Sequence, residues 1–271
     1  KSKGNIVVNM VTNGQLLNRE VAKNLKKSGF RNVQVSLDGA DAKTHDWLRN
    51  KEGVFEKTVQ AIKYLKEEGL QVGIACTPSL KNFDQIDEII ELGKDLGISE
   101  FRMQPLMPIG RAKKNLEKYL LKYDDYRKLA KKLNSYKMKY IGDGFNVEWG
   151  DPVDHLIRGR FRKNGYNPYI AVNAYGDITI SPYLPISLGN IKHHSLKEYW
   201  ENGLSNAWNI PFIKEIASKM ESSRSLGLEG EGLPEMYYED GYHVDLVENK
   251  DKLENITLKT LFNNKKKEVA G

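Results

Sequence analysis

Charged side chains of several types gather in residues 32–53 of the chain, NVQVSLDGADAKTHDWLRNKEG. This segment begins as a strand and turns at Asp38-Gly39, a pair that suits the dihedral angles of a turn. Two carboxylates, an imidazole and a guanidinium lie within the next few residues, supplied by Asp41, Asp46, His45 and Arg49. Such a set is either the rim of an active site or a polar turn, and the elements that position it decide between the two.

A repeated unit of short apolar strand, turn and amphipathic helix runs through the first hundred residues. The predicted strands NIVVNMVTNG, NVQVSLDG, QVGIACTP and EFRMQPL lack clean alternation, which is typical of parallel strands covered on both faces. Three helices are predicted between them, and each has an apolar stripe at helical spacing and a closing glycine. The first stripe includes Leu16 and Leu17. The pattern therefore predicts a run of βα units with right-handed crossovers, as in a barrel or part of one.

Polar or backbone-exposing residues follow all four predicted strands, where ligands bind in parallel sheets. They are Thr12-Asn13-Gly14, Ser36-Leu37-Asp38-Gly39, Thr77-Pro78 and Gln104-Pro105-Leu106-Met107-Pro108. Each set alone is explained by turn chemistry, because Asn, Asp, Gly and Pro suit strand-to-helix turns. Four such sets on one rim favour a binding site.

The composition limits the partners and the location of the protein. A net charge of +6 would favour anionic partners, but 42 basic and 36 acidic residues are spread along helices as a solvated surface. We expect no nucleic-acid partner and no membrane span, because neither a basic stripe interleaved with aromatics nor a long apolar run occurs. The single cysteine, Cys76, excludes an internal disulfide and indicates a cytoplasmic protein.

The βα rhythm stops after Arg111. Residues 123–140 read as one basic amphipathic helix and residues 145–152 as a strand returning to the sheet. Residues 169–191 read as a hairpin around Tyr175-Gly176-Asp177, followed by a proline-bounded loop. Ser195 and Glu198 form a predicted capping box at the start of a short helix. Residues 219–240 are polar and glycine-rich and are predicted as loop or as partly disordered. We expect a main domain at residues 1–140 and an extension at residues 141–271.

The order of these motifs resembles the radical S-adenosylmethionine (radical SAM) enzymes. The resemblance rests on Ser-Leu-Asp-Gly, then His-Asp, then Arg, then Gly-x-Phe-x-x-Thr within residues 36–58, with VTNGQLL before and FRMQPLMPIGRA after. Residues 174–203 resemble the opening hairpin and helix of the extension called SPASM or twitch in peptide-modifying and haem-pathway members. The fold implied is α/β, a partial TIM-like (β/α)6 barrel incomplete at its N-terminus, with a small α+β extension.

The resemblance implies S-adenosylmethionine as cofactor, bound at the strand carboxyl ends. A [4Fe-4S] cluster reduces it in that family and releases a 5′-deoxyadenosyl radical, which abstracts a substrate hydrogen. By resemblance, Ser36 and Arg49 hold the cofactor's carboxylate, because an arginine fork pairs with a carboxylate in bidentate fashion. The other residues implied at the cofactor are Thr12 and Asn13 near its methionyl or ribose part, Gln104, Leu106 and Met107 beside its adenine, and Asp38, which shapes the turn with Gly39.

The sequence departs from the family where the cluster is concerned. The Cys-x-x-x-Cys-x-x-Cys loop and the Gly-Gly-Glu motif do not occur among these residues, and we expect both, in about two βα units, to precede Lys1. No metal ligands are therefore expected in this chain. Ser181, Ser223 and Ser225 stand where cysteines of the extension are expected. Three explanations remain open: a fragment with replaced cysteines, a natural member without auxiliary clusters, or ordinary loop serines.

Other reactive side chains receive simpler interpretations. Cys76 lies in a predicted buried strand and is expected to be a small buried hydrophobe. His193 and His194 are adjacent and therefore point to different faces, which favours surface residues over a metal pair. Asp177 is a turn residue with a secondary candidacy as a proton acceptor near substrate. His45 and Asp46 are expected to brace the following segment.

The first hypothesis is that the parent protein is a radical SAM enzyme that modifies a peptide or a small cofactor precursor, with a reductant such as a flavodoxin or ferredoxin. This chain alone is predicted to be unable to cleave S-adenosylmethionine. The alternative is a non-catalytic module that binds a peptide or ligand by adding a strand to an open sheet edge. An aldolase-like barrel is the third possibility, and it is disfavoured because no lysine follows any of the four strands.

Overall fold

The computed structural model describes residues 6–226 and 241–261. They form parts of two compact units, Lys1–Leu106 with Lys118–Gly150, and Met107–Glu117 with Asp151–Gly271. The first unit extends ten residues past the boundary drawn from the sequence at 140, because a strand at 146–149 joins its sheet. The assignment of the two units to a barrel and an extension stays a prediction.

The first unit is built on an open parallel sheet of five strands in chain order. The strands are β1 (Val8–Thr12), β2 (Phe30–Ser36), β3 (Gln71–Cys76), β4 (Glu100–Met103) and β5 (Asn146–Trp149). The central strands are the most apolar, and Val33, Val35, Val72, Ile74 and Phe101 are fully buried. The predicted α/β class and partial barrel are confirmed, and the described strands do not close into a barrel.

Helices connect and cover these strands. They are α1 (Arg19–Lys27), α2 (Ala42–Arg49), α3 (Val54–Glu67), α4 (Ile86–Asp95) and α6 (Tyr123–Lys139). Helix α5 (Gly110–Leu116), which lies between α4 and α6 in the chain, belongs to the second unit. The crossover helices bury apolar residues at helical spacing, such as Ile62 and Leu65 of α3 and Ile89 and Ile90 of α4. Among the described residues, every helix is too short or too polar to cross a lipid bilayer.

One local expectation was wrong, and one helix was not predicted. Leu16 is 91% exposed and is not part of a helical stripe. The helix begins later, at Arg19, because the side chain of Asn18 caps it by accepting from the backbone N–H of Val21 at 2.9 Å. The segment after Gly39 contains helix α2, which the sequence analysis did not predict.

The second unit combines short strands with helices. Its remaining elements are α7 (Asp154–Gly159), β6 (Ala171–Val172), β7 (Ile178–Thr179), β8 (Ile186–Ser187), α8 (Leu196–Glu201), α9 (Pro211–Lys219) and β9 (Tyr242–His243). Strands β6 and β7 pair antiparallel, whereas β8 and β9 pair parallel. Its own core includes the buried side chains of Tyr199, Trp208 and Phe212. Helix α9 has no counterpart in the sequence prediction.

Candidate functional site

The carboxyl ends of β1 to β4 form one rim of the first unit. The register places Thr12 opposite Val35, Ser36 opposite Ala75, and Cys76 opposite Met103. Residues that follow these strands therefore emerge side by side. The expectation that the polar strand ends share an edge agrees with this register.

Asp38 lies at the centre of this rim and is 4% exposed. One carboxylate oxygen accepts a hydrogen bond from the backbone N–H of Thr77 at 2.8 Å. The other lies 2.5 Å from Nη2 of Arg49. Asp38 therefore joins the end of β2 to the end of β3 and to the end of α2, and it does more than shape a turn.

A buried amide reinforces the same junction. The Asn82 side chain is fully buried and donates to the carbonyl oxygens of Asp38 at 2.8 Å and Thr77 at 3.0 Å. The backbone N–H of Asp38 donates to Nδ1 of His45 at 3.0 Å, which requires that nitrogen to be unprotonated. Burial lowers the pKa of His45 and keeps the imidazole neutral, although the nearby Asp38 charge acts in the opposite direction.

Two acidic residues of this segment, Asp41 and Asp46, accept hydrogen bonds from backbone N–H groups at the starts of α2 and α3. Asp41 accepts from the backbone N–H of Thr44 at 2.7 Å and starts α2. Asp46 accepts from the N–H groups of Gly53 at 2.6 Å and Phe55 at 2.8 Å, so it fixes the start of α3. Gly39 is required for a steric reason, since a Cβ there would lie 2.6 Å from the backbone nitrogen of His45.

The Arg49 side chain at this rim has an N–H group that is not used in a hydrogen bond within the described part of the chain. Its Nη2 pairs with Asp38, whereas its Nε is buried and has no hydrogen-bond partner among the described residues. An unpaired buried N–H is costly, and this one is available to an acceptor from a ligand. Ser36 and Gln104 are half-buried on neighbouring strand ends. Within residues 6–226 and 241–261, neither side chain has a recorded hydrogen bond.

The other residues implied at the cofactor have varied surroundings. The hydroxyl of Thr12 accepts from Gly14 N–H, and the amide oxygen of Asn13 accepts from Gln15 N–H, each at 3.1 Å. Both therefore shape the turn after β1. Leu106 is half-buried in the first unit, and Met107 packs against the core of the second unit.

This donor set fits S-adenosylmethionine in one respect. Its carboxylate needs a cationic fork with free N–H groups, and Arg49 offers one beside an open row of strand ends. Asp38 orients the guanidinium and also competes for it. The geometry therefore brings Asp38 and Arg49 into direct contact and leaves the grouping of all eight residues around one ligand as a prediction.

The residues of this chain do not fit a [4Fe-4S] cluster. Cys76 is the single cysteine and is 2% exposed within β3. Burial, followed by the nearby Asp38 charge, raises its pKa well above the usual thiol range, which opposes the thiolate that iron requires. Any cluster would take its thiolates from outside these 271 residues.

The three serines at expected cysteine positions are buried and hydrogen-bonded. Ser181 accepts from the N–H of Tyr183 at 3.1 Å. Ser223 donates to Asp151 at 3.0 Å. The Ser225 hydroxyl accepts from the N–H groups of Glu221 at 3.1 Å and Ser222 at 3.3 Å. The hydroxyls of Ser181 and Ser225 complete local turns, whereas that of Ser223 ties its segment to Asp151.

Asp177 has both carboxylate oxygens engaged. They accept from the side-chain amides of Asn173 at 2.9 Å and Asn190 at 2.8 Å. Asp177 and Ser181 also line a cavity of about 500 Å³ that His243 and Thr179 border. Both Asp177 oxygens therefore brace the hairpin. A role for Asp177 in proton transfer stays a prediction.

Sequence reasoning missed Asn82 and underrated Asp38 as structural partners of the rim. The signal for Asn82 was weak, because it sits in a loop where asparagine is common. The signal for α2 was stronger, since Asp41 precedes Thr44 by three residues, as an N-cap does.

Comparison with known proteins agrees with this fold. The family model described as "Radical SAM superfamily" matches residues 1–93. The AdoMet-dependent heme synthase of Methanosarcina barkeri (strain Fusaro / DSM 804) is 28% identical over 208 residues, which are 71% of this chain and 60% of the relative. The sporulation killing factor maturation protein SkfB of Bacillus subtilis (strain 168) is 27% identical over 191 residues, which are 70% of this chain and 45% of the relative.

Solved structures show the same architecture. The structure of native anSMEcpe with bound AdoMet and Cp18Cys peptide has a TM-score of 0.58 at 18% sequence identity, covering 96% of this chain and 76% of that chain. At this identity the likeness concerns the fold. The chain spans between about half and three-fifths of the length of the two curated relatives.

Proposed function

We propose that this chain, which contains a radical SAM domain and is a homologue of radical SAM enzymes, holds S-adenosylmethionine at the rim around Arg49. The supporting observation is the Arg49 guanidinium, which Asp38 orients and whose Nε has no partner among the described residues. Arg49 and Ser36 would bind the cofactor's carboxylate, and the half-buried Gln104 and Leu106 would border its adenine. In the proposed parent protein, one-electron reduction of the bound S-adenosylmethionine, through a cluster held by residues outside this chain, would supply the 5′-deoxyadenosyl radical that abstracts hydrogen from a substrate.

The substrate that we propose is a peptide or a small cofactor precursor. SkfB is named as a maturation protein and the M. barkeri relative as a heme synthase, so both classes occur among homologues. A flavodoxin or ferredoxin as reductant, a cytoplasmic location, and the second unit as a SPASM- or twitch-like extension belong to the same proposal. The peptide class is supported by the fold shared with a peptide-bound enzyme.

Calorimetry of the full chain with S-adenosylmethionine tests the proposed site. Arg49→Met should weaken binding by about tenfold or more, because a charge-assisted hydrogen bond contributes about 1.5–3 kcal/mol. Arg19→Met is the matched control, since Arg19 forms an exposed ion pair with Glu67 on the crossover helices α1 and α3. A ligand without the carboxylate, decarboxylated S-adenosylmethionine, should bind the parent chain and Arg49→Met equally. If Arg49→Met and Arg19→Met bind intact S-adenosylmethionine with the same affinity, the proposed site is wrong.

The chain alone should not cleave the cofactor. Its single thiol is buried, so reconstitution with iron and sulfide under anaerobic reducing conditions should give no 5′-deoxyadenosine above a blank without protein. A radical SAM enzyme with its own cysteine loop serves as the positive control. Turnover by this chain would refute the prediction.

The exposed edge of the sheet supports a second candidate, a peptide-binding module. Within the described residues β1 pairs with β2 alone, and Val11 on β1 is 68% exposed. An extended peptide could add a strand there. Peptide binding that persists in Arg49→Met, together with no response to S-adenosylmethionine, would favour this module over the enzyme.

A further inference from the structure

A group of three metal-ligating side chains lies in the second unit, apart from the cavity and the serines. His194, Asp245 and Glu248 bring one ligand atom each to within 4.8 Å of one another. Nε2 of His194 lies 3.9 Å from Oε1 of Glu248. Two ligands of one tetrahedral ion, each about 2.0–2.2 Å from it, lie about 3.3–3.6 Å apart, so side-chain rotations that move the ligand atoms by about 1 Å would close the group around a cation.

Asp245 is held in place by bonds that a metal ligand needs. Its Oδ1 accepts from the N–H groups of Val247 at 3.0 Å and Glu248 at 3.2 Å. The hydroxyl of the buried Tyr199 donates to its Oδ2 at 2.7 Å. Hydrogen bonds of this kind orient ligating carboxylates, and Oδ2 keeps a lone pair for a cation.

The other two ligands are positioned by neighbouring turns. Asp245 and Glu248 are three residues apart in a hydrogen-bonded turn, in which Asn249 N–H donates to the Asp245 carbonyl at 2.9 Å. His194 directly precedes the N-cap Ser195 of α8, and its ring packs edge-on against Tyr199 at 5.7 Å. Tyr199 thus contacts both His194 and Asp245, so one buried ring fixes two of the three ligands.

The charge of the group also favours a cation. The two carboxylates, when ionised, bring a charge of −2 to the group. Within residues 6–226 and 241–261, His194 is the one basic side chain in contact with either carboxylate. Imidazole selects zinc and related first-row ions, whereas magnesium prefers an all-oxygen shell.

We propose that His194, Asp245 and Glu248 form a binding site for Zn²⁺ or a similar first-row divalent cation. The ion would tie the turn at residues 245–249 to the start of α8. Three protein ligands leave at least one position for water or another ligand. The site is independent of the cofactor rim and of the proposed function.

Metal titration of the full chain tests the site. The protein is purified without a polyhistidine tag, stripped with a chelator, and titrated with zinc chloride by calorimetry. We expect one Zn²⁺ ion per chain at this site, weakened by about tenfold or more in His194→Ala and in Glu248→Gln. Saturating Zn²⁺ should raise the thermal midpoint by about 5 °C, and magnesium chloride should not raise it.

His193→Ala is the matched control. His193 is adjacent and exposed and does not belong to the group, so its variant should keep the affinity of the parent chain. Glu248 is 65% exposed, so Glu248→Gln should fold even if His194→Ala does not. No zinc binding by the parent chain, unchanged binding in both test variants, or equal loss in His193→Ala overturns the proposal.

Discussion

The ion pair between Asp38 and Arg49 should stabilise the fold far more than a surface pair of similar length. Asp38 and Arg49 approach to 2.5 Å with side chains 6% and 28% exposed. Arg19 and Glu67 approach to 2.6 Å with side chains 63% and 46% exposed. The two pairs thus share chemistry and distance and differ in burial, so they separate the effect of burial from the effect of contact.

The expected magnitude follows from what each substitution leaves behind. Breaking a buried pair costs about 3–5 kcal/mol because one charge stays unpaired in a medium of low dielectric. Because the Arg49 side chain remains partly exposed to solvent, we expect a smaller coupling free energy, about 2 kcal/mol, between Asp38 and Arg49. Exposed pairs contribute about 0.2–1 kcal/mol, and we expect the lower part of that range for Arg19 and Glu67.

A double-mutant cycle in urea unfolding measures both couplings. The first cycle uses Asp38→Asn, Arg49→Met and the double variant, and the second uses Arg19→Met, Glu67→Gln and their double variant. Asn at position 38 keeps an oxygen for the N–H of Thr77, so the cycle reports the charge and not the loss of that bond. Additive effects of the Asp38 and Arg49 substitutions, or equal couplings in the two cycles, would refute the argument from burial.

Three further outcomes follow from buried groups. Because burial lowers the pKa of His45, the unfolded chain binds a proton first as the pH falls below about 6.5, and stability should decline by up to about 1.4 kcal/mol per pH unit. His45→Asn, which keeps an acceptor for the Asp38 N–H, should flatten that slope in urea titrations between pH 7 and pH 5; an unchanged slope refutes it. Gly189→Ala should destabilise the second unit by about 2–4 kcal/mol in urea unfolding, because φ at Gly189 is +147° and a Cβ there would overlap the Tyr199 ring. Gly142→Ala is the control and should cost less, because a Cβ at Gly142 would meet no atom within 4 Å. Cys76 should resist iodoacetamide in the native protein and react in urea, as followed by mass; rapid native labelling would contradict its burial.

The parallel sheet could be predicted because its signal is apolar and periodic. Val33, Val35, Val72 and Ile74 lie in continuous apolar runs, and these are the residues that the sheet buries. Helix α2 was missed because His45 is its one buried side chain, so it carries almost no apolar stripe. Its formation depends on capping by Asp41, a local hydrogen bond, and not on periodicity.

The shared edge of strand ends was predictable from the sequence, whereas the hydrogen bonds and the ion pair at that edge were not. Strand ends could be read from the sequence, so Ser36, Asp38 and Gln104 were placed on one rim. The partner of Arg49 could not be read, because an arginine can reach either a ligand or a carboxylate eleven residues earlier in the chain. Asn82 was invisible for the same reason, since its partners at residues 38 and 77 become neighbours when β2 and β3 pair.

The hydrogen bonds of Ser223 and Ser225 bear on whether these serines replaced cysteine ligands of a cluster. A cysteine-to-serine replacement that merely removed a cluster would leave hydroxyls facing an empty space. Ser223 instead donates to Asp151, whose same oxygen also accepts from the Ser223 N–H at 2.9 Å, and Ser225 accepts from two backbone N–H groups. A thiol is a weak donor and a weak acceptor, so cysteine would satisfy these partners poorly. The hydroxyls of Ser223 and Ser225 therefore have structural roles in hydrogen bonding, as expected of ordinary loop serines.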